Sequence, residues 1–406
     1  MSFSVEEVRK DFPIFKREIN GHSLVYLDNA ATTLKPKQVV DVISEHYLMG
    51  TSNVHRGIHT LSAQATDAYE EARKTLASYI NSPSEKNIVF TTGTTASINL
   101  VAQSYATNFL KAGDEIVITE LEHHSNIVPW QMACEKNSAI LKVVPILEDG
   151  SVDFEAFKDI VTSNTKLISM NYVSNSIGVI NPVEEVIALA KSVGAKVCID
   201  AAQAAAHMAI DVQALDCDFL ALSSHKMCGP TGMGLLYGKE ELLEMMPPLN
   251  GGGDMIKEVR FEKSTWNDVP FKFEAGTPHI AGVIGFAAAA KYIQSLGFEN
   301  IQKQEEHLYE LAKKELEEIE GLVFFGTSKK KVALFAFGFP GVHPSDLGTI
   351  MDQYGVAVRT GHHCTQPLME LFKVPGTTRA SFAFYNNDDD VYRLKAAILK
   401  AKEFLL

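Results

Sequence analysis

Between residues 60 and 240 the chain alternates short apolar runs with helical stripes, and few architectures accept that order. Leu61, Ala65, Ala68, Tyr69, Ala72, Leu76 and Tyr79 recur at the spacing of one helix face. The runs IVFT (88–91), IVIT (116–119), LKVVPI (141–146), LISMNY (167–172), VCI (197–199), FLAL (219–222) and MGLLY (233–237) are only a few residues long, most of them separated by a helical stretch. Strands that are apolar on both faces need cover on both sides, so the pattern predicts a mostly parallel sheet with helices above and below. In such sheets ligands sit beyond the carboxyl ends of the strands, so chemistry is sought in the residues just after each run.

At 406 residues the chain exceeds a single core and fits one large and one small domain. The expected division is an N-terminal segment, 1–20, packed with the small domain, a large domain, 21–290, and a small C-terminal α/β domain, 291–406. In the last, Ile301, Leu308, Leu311, Ala312, Leu316 and Ile319 predict a long amphipathic helix ending at Gly321, followed by strands at 332–338 and 355–359. A final helix, 388–404, opens on Asp388, Asp389 and Asp390 and carries Lys395, Lys400 and Lys402 later, matching the helix dipole at both ends. The 250–275 stretch reads as a long irregular excursion, a feature often functional.

Composition excludes several classes. With 37 Lys+Arg against 50 Asp+Glu the net charge is −13, which repels a phosphate backbone, so no nucleic-acid partner is expected. The longest apolar run, Ile280 to Ala290, is broken by Gly and falls well short of the roughly 20 residues of a membrane span. The N-terminal MSFSVEEVRKDFP has neither a signal-peptide core nor a transit-peptide bias, so a cytoplasmic setting is expected. Five cysteines, Cys134, Cys198, Cys217, Cys228 and Cys364, show no C-x-x-C spacing, so neither a disulfide framework nor a zinc knuckle is expected.

The chemistry gathers at strand ends. Asp200 follows VCI and precedes the small Ala201 and Ala202, which let a flat group approach the backbone. Lys226 follows FLAL in Ser223-Ser224-His225-Lys226. An acidic partner for a pyridinium nitrogen and a Lys for an aldehyde are what pyridoxal phosphate (PLP) requires. Either residue alone is usually a helix cap or a solvated lysine; the pair is far more specific. Gly93-Thr94-Thr95, between IVFT and a helix, supplies N–H groups and hydroxyls for a phosphate. His123, in Glu122-His123-His124, can lie flat over a pyridine ring. Arg379 can fork onto a substrate carboxylate. Cys364, in Arg359-Thr360-Gly361-His362-His363-Cys364, reads as a mobile, nucleophilic thiol, whereas Cys198 and Cys134 read as small hydrophobes and Cys228, despite its nearness to Lys226, as inert.

These residues lie in longer segments that resemble a known family. YLDNAATT (26–33), NVHRGIHTLS (53–62), EHHSNIVPWQ (122–131), VSNSIG (173–178), IDAAQ (199–203), SSHKMCGPTGMG (223–234), FEAGTP (273–278) and RTGHHC (359–364) are similar to those of SufS-type, group II cysteine desulfurases, within the class V aminotransferases. The resemblance spans nearly the whole chain. It implies a fold-type I PLP-dependent enzyme, with a mostly parallel seven-stranded sheet in the large domain and the cysteine loop in the small one.

By that resemblance Lys226 carries the cofactor, Asp200 pairs with its ring nitrogen, Gln203 bonds its ring oxygen, and His123 stacks on the ring and assists proton transfer. Thr94, Thr95, Ser223 and His225 would hold the phosphate, with Thr277 reaching in from a second subunit of a homodimer. Asn175, Arg359, Arg379 and His55 would bind the carboxylate of L-cysteine or line its pocket. The products would be L-alanine and a Cys364 persulfide, passed to a sulfur acceptor for iron–sulfur cluster assembly. That acceptor would be of the SufU type, meeting His343 in Val342-His343-Pro344, or alternatively of the SufE type. Ala96, Ala201, Thr365 and the pair Asn171-Tyr172 depart from the family pattern without removing a catalytic group. Competing readings are a selenocysteine lyase, a plain aminotransferase, or a metal-binding protein using His123, His124, His362, His363 and Cys364. A nicotinamide site is least expected, because no strand is followed by G-x-G-x-x-G.

Overall fold

The structure, a computed structural model, describes residues 3–406. Seven strands form the principal sheet: β1 (Ile88–Thr91), β2 (Glu115–Thr119), β3 (Ile140–Val144), β4 (Thr165–Asn171), β5 (Lys196–Asp200), β6 (Phe219–Ser223) and β7 (Gly234–Gly238). Their spatial order is β1-β7-β6-β5-β4-β2-β3. β7 runs antiparallel to both its neighbours, and the other pairings are parallel. The carboxyl ends of β1, β2, β4, β5 and β6 therefore share one edge.

Side chains on a strand alternate between faces, and here both faces are apolar. Val117, Ile168, Val197, Ile199, Leu220 and Leu222 enter one hydrophobic cluster. Ile116, Ile118, Leu167, Cys198, Phe219 and Ala221 enter another. The helix Thr60–Tyr79 adds Ala65, Tyr69, Ala72, Leu76 and Tyr79 to the first of these, while Leu61 and Ala68 of the same sequence stripe are exposed.

A third cluster covers a four-stranded sheet built from Val323–Phe325, Leu334–Gly338, Arg359–Gly361 and Thr377–Ser381. Two of these strands were not expected from the sequence. Val323–Phe325 lies in a short apolar run, Leu322 to Phe325 between two glycines, that sequence reading passed over, and Thr377–Ser381 is a fully buried strand of mostly polar residues with no apolar pattern to read. The 355–359 run divides: Val356–Ala357 pairs with Val25–Tyr26, while Arg359–Gly361 joins the four-stranded sheet. The 250–275 stretch, expected to be irregular, contains a hairpin, Ile256–Val259 with Ser264–Trp266, whose mostly exposed strands leave no buried alternation to read.

The helix Ile280–Leu296 runs through residue 290 without a break, and the chain turns by 75° at Gly297 into the helix Phe298–Glu317. That second helix places Ile301 in the first cluster and Leu308, Ala312 and Leu316 in the third. At the N-terminus Phe12 packs on Tyr385, with ring centroids 4.6 Å apart, and Arg9 Nη1 lies 2.9 Å from Asp390 Oδ2. Among the described residues no single helix is long and apolar enough to cross a membrane.

Candidate active site

Asp200 closes β5, where the parallel register sets it beside Asn171 of β4. Its carboxylate is buried and accepts a hydrogen bond from Ala202 N at 2.9 Å. Burial raises its pKa, while Lys226 and the Ala202 amide pull the other way. Such a carboxylate is stabilised by a cation. Lys226 ends a single turn after β6. The carbonyl of His225, just before it, accepts from Thr33 N (3.0 Å), Thr33 Oγ1 (3.1 Å), Thr32 Oγ1 (3.0 Å) and Lys35 Nζ (3.0 Å). Thr33 Oγ1 also accepts from Cys228 N at 2.7 Å, so residues 32–35 grip the lysine turn on both sides. Desolvation brings Lys226 down to about 8 against the pull of Asp200.

At the other end of the site, Thr94 N donates to Ser223 Oγ at 2.8 Å, and the Thr94 and Ser223 hydroxyls lie 2.8 Å apart. This approach depends on Gly234. A Cβ there would come within 2.5 Å of Gly93 Cα and 2.6 Å of Leu222 O, lifting the 92–94 turn off β7. His225 is held down at about 4 by burial and by Lys226 and Lys35. His123 Nδ1 accepts from Ser125 N at 3.0 Å, which puts the ring proton on Nε2. Burial, then Lys226, His124 and Arg379, lower its pKa to about 3, so its imidazole is neutral.

Arg379, on the strand Thr377–Ser381, is 2 % exposed. Its Nη1 donates to Asn175 O at 2.7 Å and its Nη2 to Asp28 Oδ1 at 3.1 Å, while its buried Nε has no partner among the described residues. Arg359 Nε lies 3.4 Å from the same Asp28 oxygen. Sequence reading overlooked Asp28 as a functional group, although it stands inside YLDNAATT; its signal was the need of two neighbouring guanidiniums for a counter-charge.

Cys364 is exposed, unlike Cys134, Cys198, Cys217 and Cys228, which are buried. His363 and Cys364 both have left-handed backbones, φ 52° and 58°, at roughly 1–2 kcal/mol per non-glycine residue. The loop is fixed from outside. Asn175 Nδ2 donates to His363 O at 2.7 Å, Ser176 Oγ and Thr365 Oγ1 lie 2.6 Å apart, and His124 N donates to Cys364 O at 2.8 Å. Thr365, a departure from the family pattern, is thus an anchor.

A cavity of about 230 Å³ brings together Thr94, Thr95, His123, Asn175, Asp200, Ser223, His225, Lys226, Arg359, Cys364 and Arg379. Gln203 is buried beside it, with Nε2 donating to Ala30 O at 2.6 Å. Three of the expected residues lie elsewhere in this chain. Thr277 is exposed and lines a different cavity, of about 480 Å³. His55 contacts Glu70 at 2.9 Å and shares a third cavity with Gly276 and Pro278. His343 is exposed and accepts from Ser345 N at 3.3 Å, at the start of the helix Pro344–Gln353. The imidazoles of the metal-site reading diverge: His363 Nε2 faces Thr377 O at 3.1 Å, while His124 Nε2 accepts from Gln366 N.

The groups present fit PLP. A buried carboxylate with raised pKa stands at one end, hydroxyls and a helix-starting turn at the other, with a lysine and a neutral imidazole between. The doubly covered sheet, with this donor set along its carboxyl edge, is a fold-type I architecture. A family model, aminotransferase class-V, matches residues 25–394, and the chain belongs to that family. It is 51 % identical over 387 residues to a probable cysteine desulfurase of Synechocystis sp., covering 95 % of this chain and 92 % of the relative. It is 48 % identical over 406 residues to a cysteine desulfurase of Salmonella typhimurium, covering all of both. Among solved structures, the cysteine desulfurase CsdA (S-sulfonic acid) from Escherichia coli superposes with a TM-score of 0.92 at 40 % identity, over 100 % of both chains. An apo cysteine desulfurase from Thermococcus onnurineus gives 0.94 at 39 % identity, over 98 % of each.

Proposed function

We propose that this chain is a PLP-dependent cysteine desulfurase of the SufS type, converting L-cysteine to L-alanine and handing the sulfur to an acceptor. The observation that carries the reading is that an exposed cysteine, Cys364, shares one cavity with Lys226, Asp200 and Arg379. A plain aminotransferase needs the last three and has no use for the thiol.

In this reading Lys226 carries the cofactor, Asp200 faces its ring nitrogen, and Gln203 faces its ring oxygen. Thr94, Thr95, Ser223 and His225 receive the phosphate, joined by Thr277 of a second copy. Bound PLP supplies an electron sink that weakens bonds at the substrate's α-carbon and, through it, the C–S bond. Lys226, whose pKa burial lowers to about 8 and so toward the range of a proton carrier, moves the α-proton. The unpartnered Arg379 Nε, with Asn175 and Arg359 beside it, orients the substrate carboxylate. The Cys364 thiolate attacks the substrate sulfur: the S–S bond forms as the C–S bond breaks, its electron pair stays on the carbon side, and a proton completes L-alanine. Neutral His123, with its proton on Nε2, serves that transfer.

The persulfide stands on an exposed residue, open to an acceptor. We assign that acceptor to the SufU type, meeting the exposed His343, with a SufE-type protein as the alternative and the cytoplasm as the setting. The test is to add L-cysteine and a thiol reductant to the holoenzyme and quantify alanine and sulfide. Equimolar alanine and sulfide are expected from the wild type, and a fall of at least about tenfold in Cys364→Ala. Undiminished alanine from that variant, or pyruvate and ammonia from the wild type, defeats the proposal.

A further inference from the structure

The left-handed pair His363-Cys364 persists only because its surroundings hold it. The anchors come from the segments that follow β2 and β4, with Thr377 also meeting the His363 ring. Most hold one point each: Asn175 takes His363 O at 2.7 Å, and Ser176 takes the Thr365 hydroxyl at 2.6 Å. His124 differs, because it contacts the loop at two points, the Cys364 carbonyl and the Gln366 amide just beyond it. Its N–H donates to Cys364 O at 2.8 Å, and its Nε2 accepts from Gln366 N at 2.9 Å. Its ring lies outside the catalytic cavity.

We propose that His124 is a positioning residue, setting the Cys364 thiol against the substrate sulfur by holding Gln366 N. The inference rests on the desulfurase reading and deepens it. Gln366 N–H can only donate, so Nε2 must keep its lone pair. Burial and the neighbouring His362 hold the His124 pKa below the ordinary imidazole range, which preserves that lone pair at neutral pH. Attack on sulfur demands that the thiolate arrive in line, and small displacements of a reacting atom cost large factors in rate. The imidazole can therefore govern the chemical step without touching substrate or cofactor.

The test compares wild-type holoenzyme with His124→Ala and His124→Gln. The Gln carboxamide oxygen can still accept from Gln366 N, whereas Ala cannot. In His124→Ala, kcat for alanine formation should fall about tenfold or more with KM nearly unchanged, and His124→Gln should recover most of it. The absorption change on adding L-cysteine should be the same in all three proteins. Alkylation of Cys364 by iodoacetamide should be faster in His124→Ala. Unchanged kcat and alkylation in His124→Ala, equal losses in both variants, or an altered absorption response overturns the proposal. If the wild type forms no alanine, the desulfurase reading fails, while the alkylation rates still decide whether His124 holds the loop.

Discussion

A carboxylate buried at the end of a strand needs a compensating charge, and Asp200 has only Lys226 and one amide to oppose its desolvation. Removing the charge from a buried pair leaves its partner uncompensated, at about 3–5 kcal/mol. In Asp200→Asn the Ala202 amide keeps its acceptor, but the ring nitrogen of bound PLP loses its anion. Affinity for PLP should therefore fall about a hundredfold or more, read by titrating the apoprotein with cofactor and following the absorption of the bound form. Affinity within a few-fold of wild type would remove Asp200 from the cofactor site. Arg379 shows the complementary case: burial lowers its pKa to about 10 even with Asp28 against it, and its free Nε is a donor waiting for an anion.

Between elements, the short helix Ala204–His207 is joined to the helix Phe298–Glu317 by His207 Nδ1 and Glu305 Oε2, 2.7 Å apart and both largely buried. Burial disfavours the charged imidazole, but the Glu305 carboxylate outweighs it and raises the His207 pKa. A raised folded-state pKa adds stability that is complete below the unfolded value of about 6.5 and is lost as pH rises through the folded value. In urea melts the stability advantage of wild type over His207→Gln should be larger at pH 6 than at pH 9. An advantage that grows with pH would contradict a charged pair. This contact was invisible in the sequence, since residues 207 and 305 meet only after two helices pack. The inner strands of the large sheet were legible because burial on both faces leaves apolar runs, and the edge strand Ile140–Val144 because its residues are mostly apolar although largely outside the core. Thr377–Ser381 was not, because its polar side chains are spent on the site and on loop anchors, as with Arg379 on Asn175 and Asp28. The groups at the strand ends were legible for the same reason as the strands they follow. The anchors of the Cys364 loop, His124 and Ser176 with Thr365, carry no local signature.

At the scale of the whole molecule, the proposed phosphate site calls for a residue that this chain holds elsewhere. Thr277, expected at the phosphate, is exposed and away from Lys226, while His55 keeps company with Gly276 and Pro278. The segments carrying these residues are tied together, Arg56 Nε lying 2.9 Å from Asp254 Oδ1, and near them in sequence stand the exposed Leu48, Met49, Ile58, Leu61, Phe261 and Trp266. Exposed apolar side chains of this size, where they lie together, would suit burial against another copy. A second copy related by a twofold axis would cover them and carry Thr277 to its partner's phosphate site. Complementation tests this directly. Lys226→Ala lacks the lysine, and Thr277→Asp sets a carboxylate against the phosphate, so each homodimer should be inactive. Co-expressed, the two chains form mixed dimers in which one of the two sites combines a native Lys226 with a native Thr277 from across the interface. With equal amounts and random pairing, about a quarter of the wild-type alanine-forming activity should return. No recovery in isolated mixed dimers would place Thr277 within its own chain's site, and an active Thr277→Asp homodimer would place it outside the phosphate site altogether.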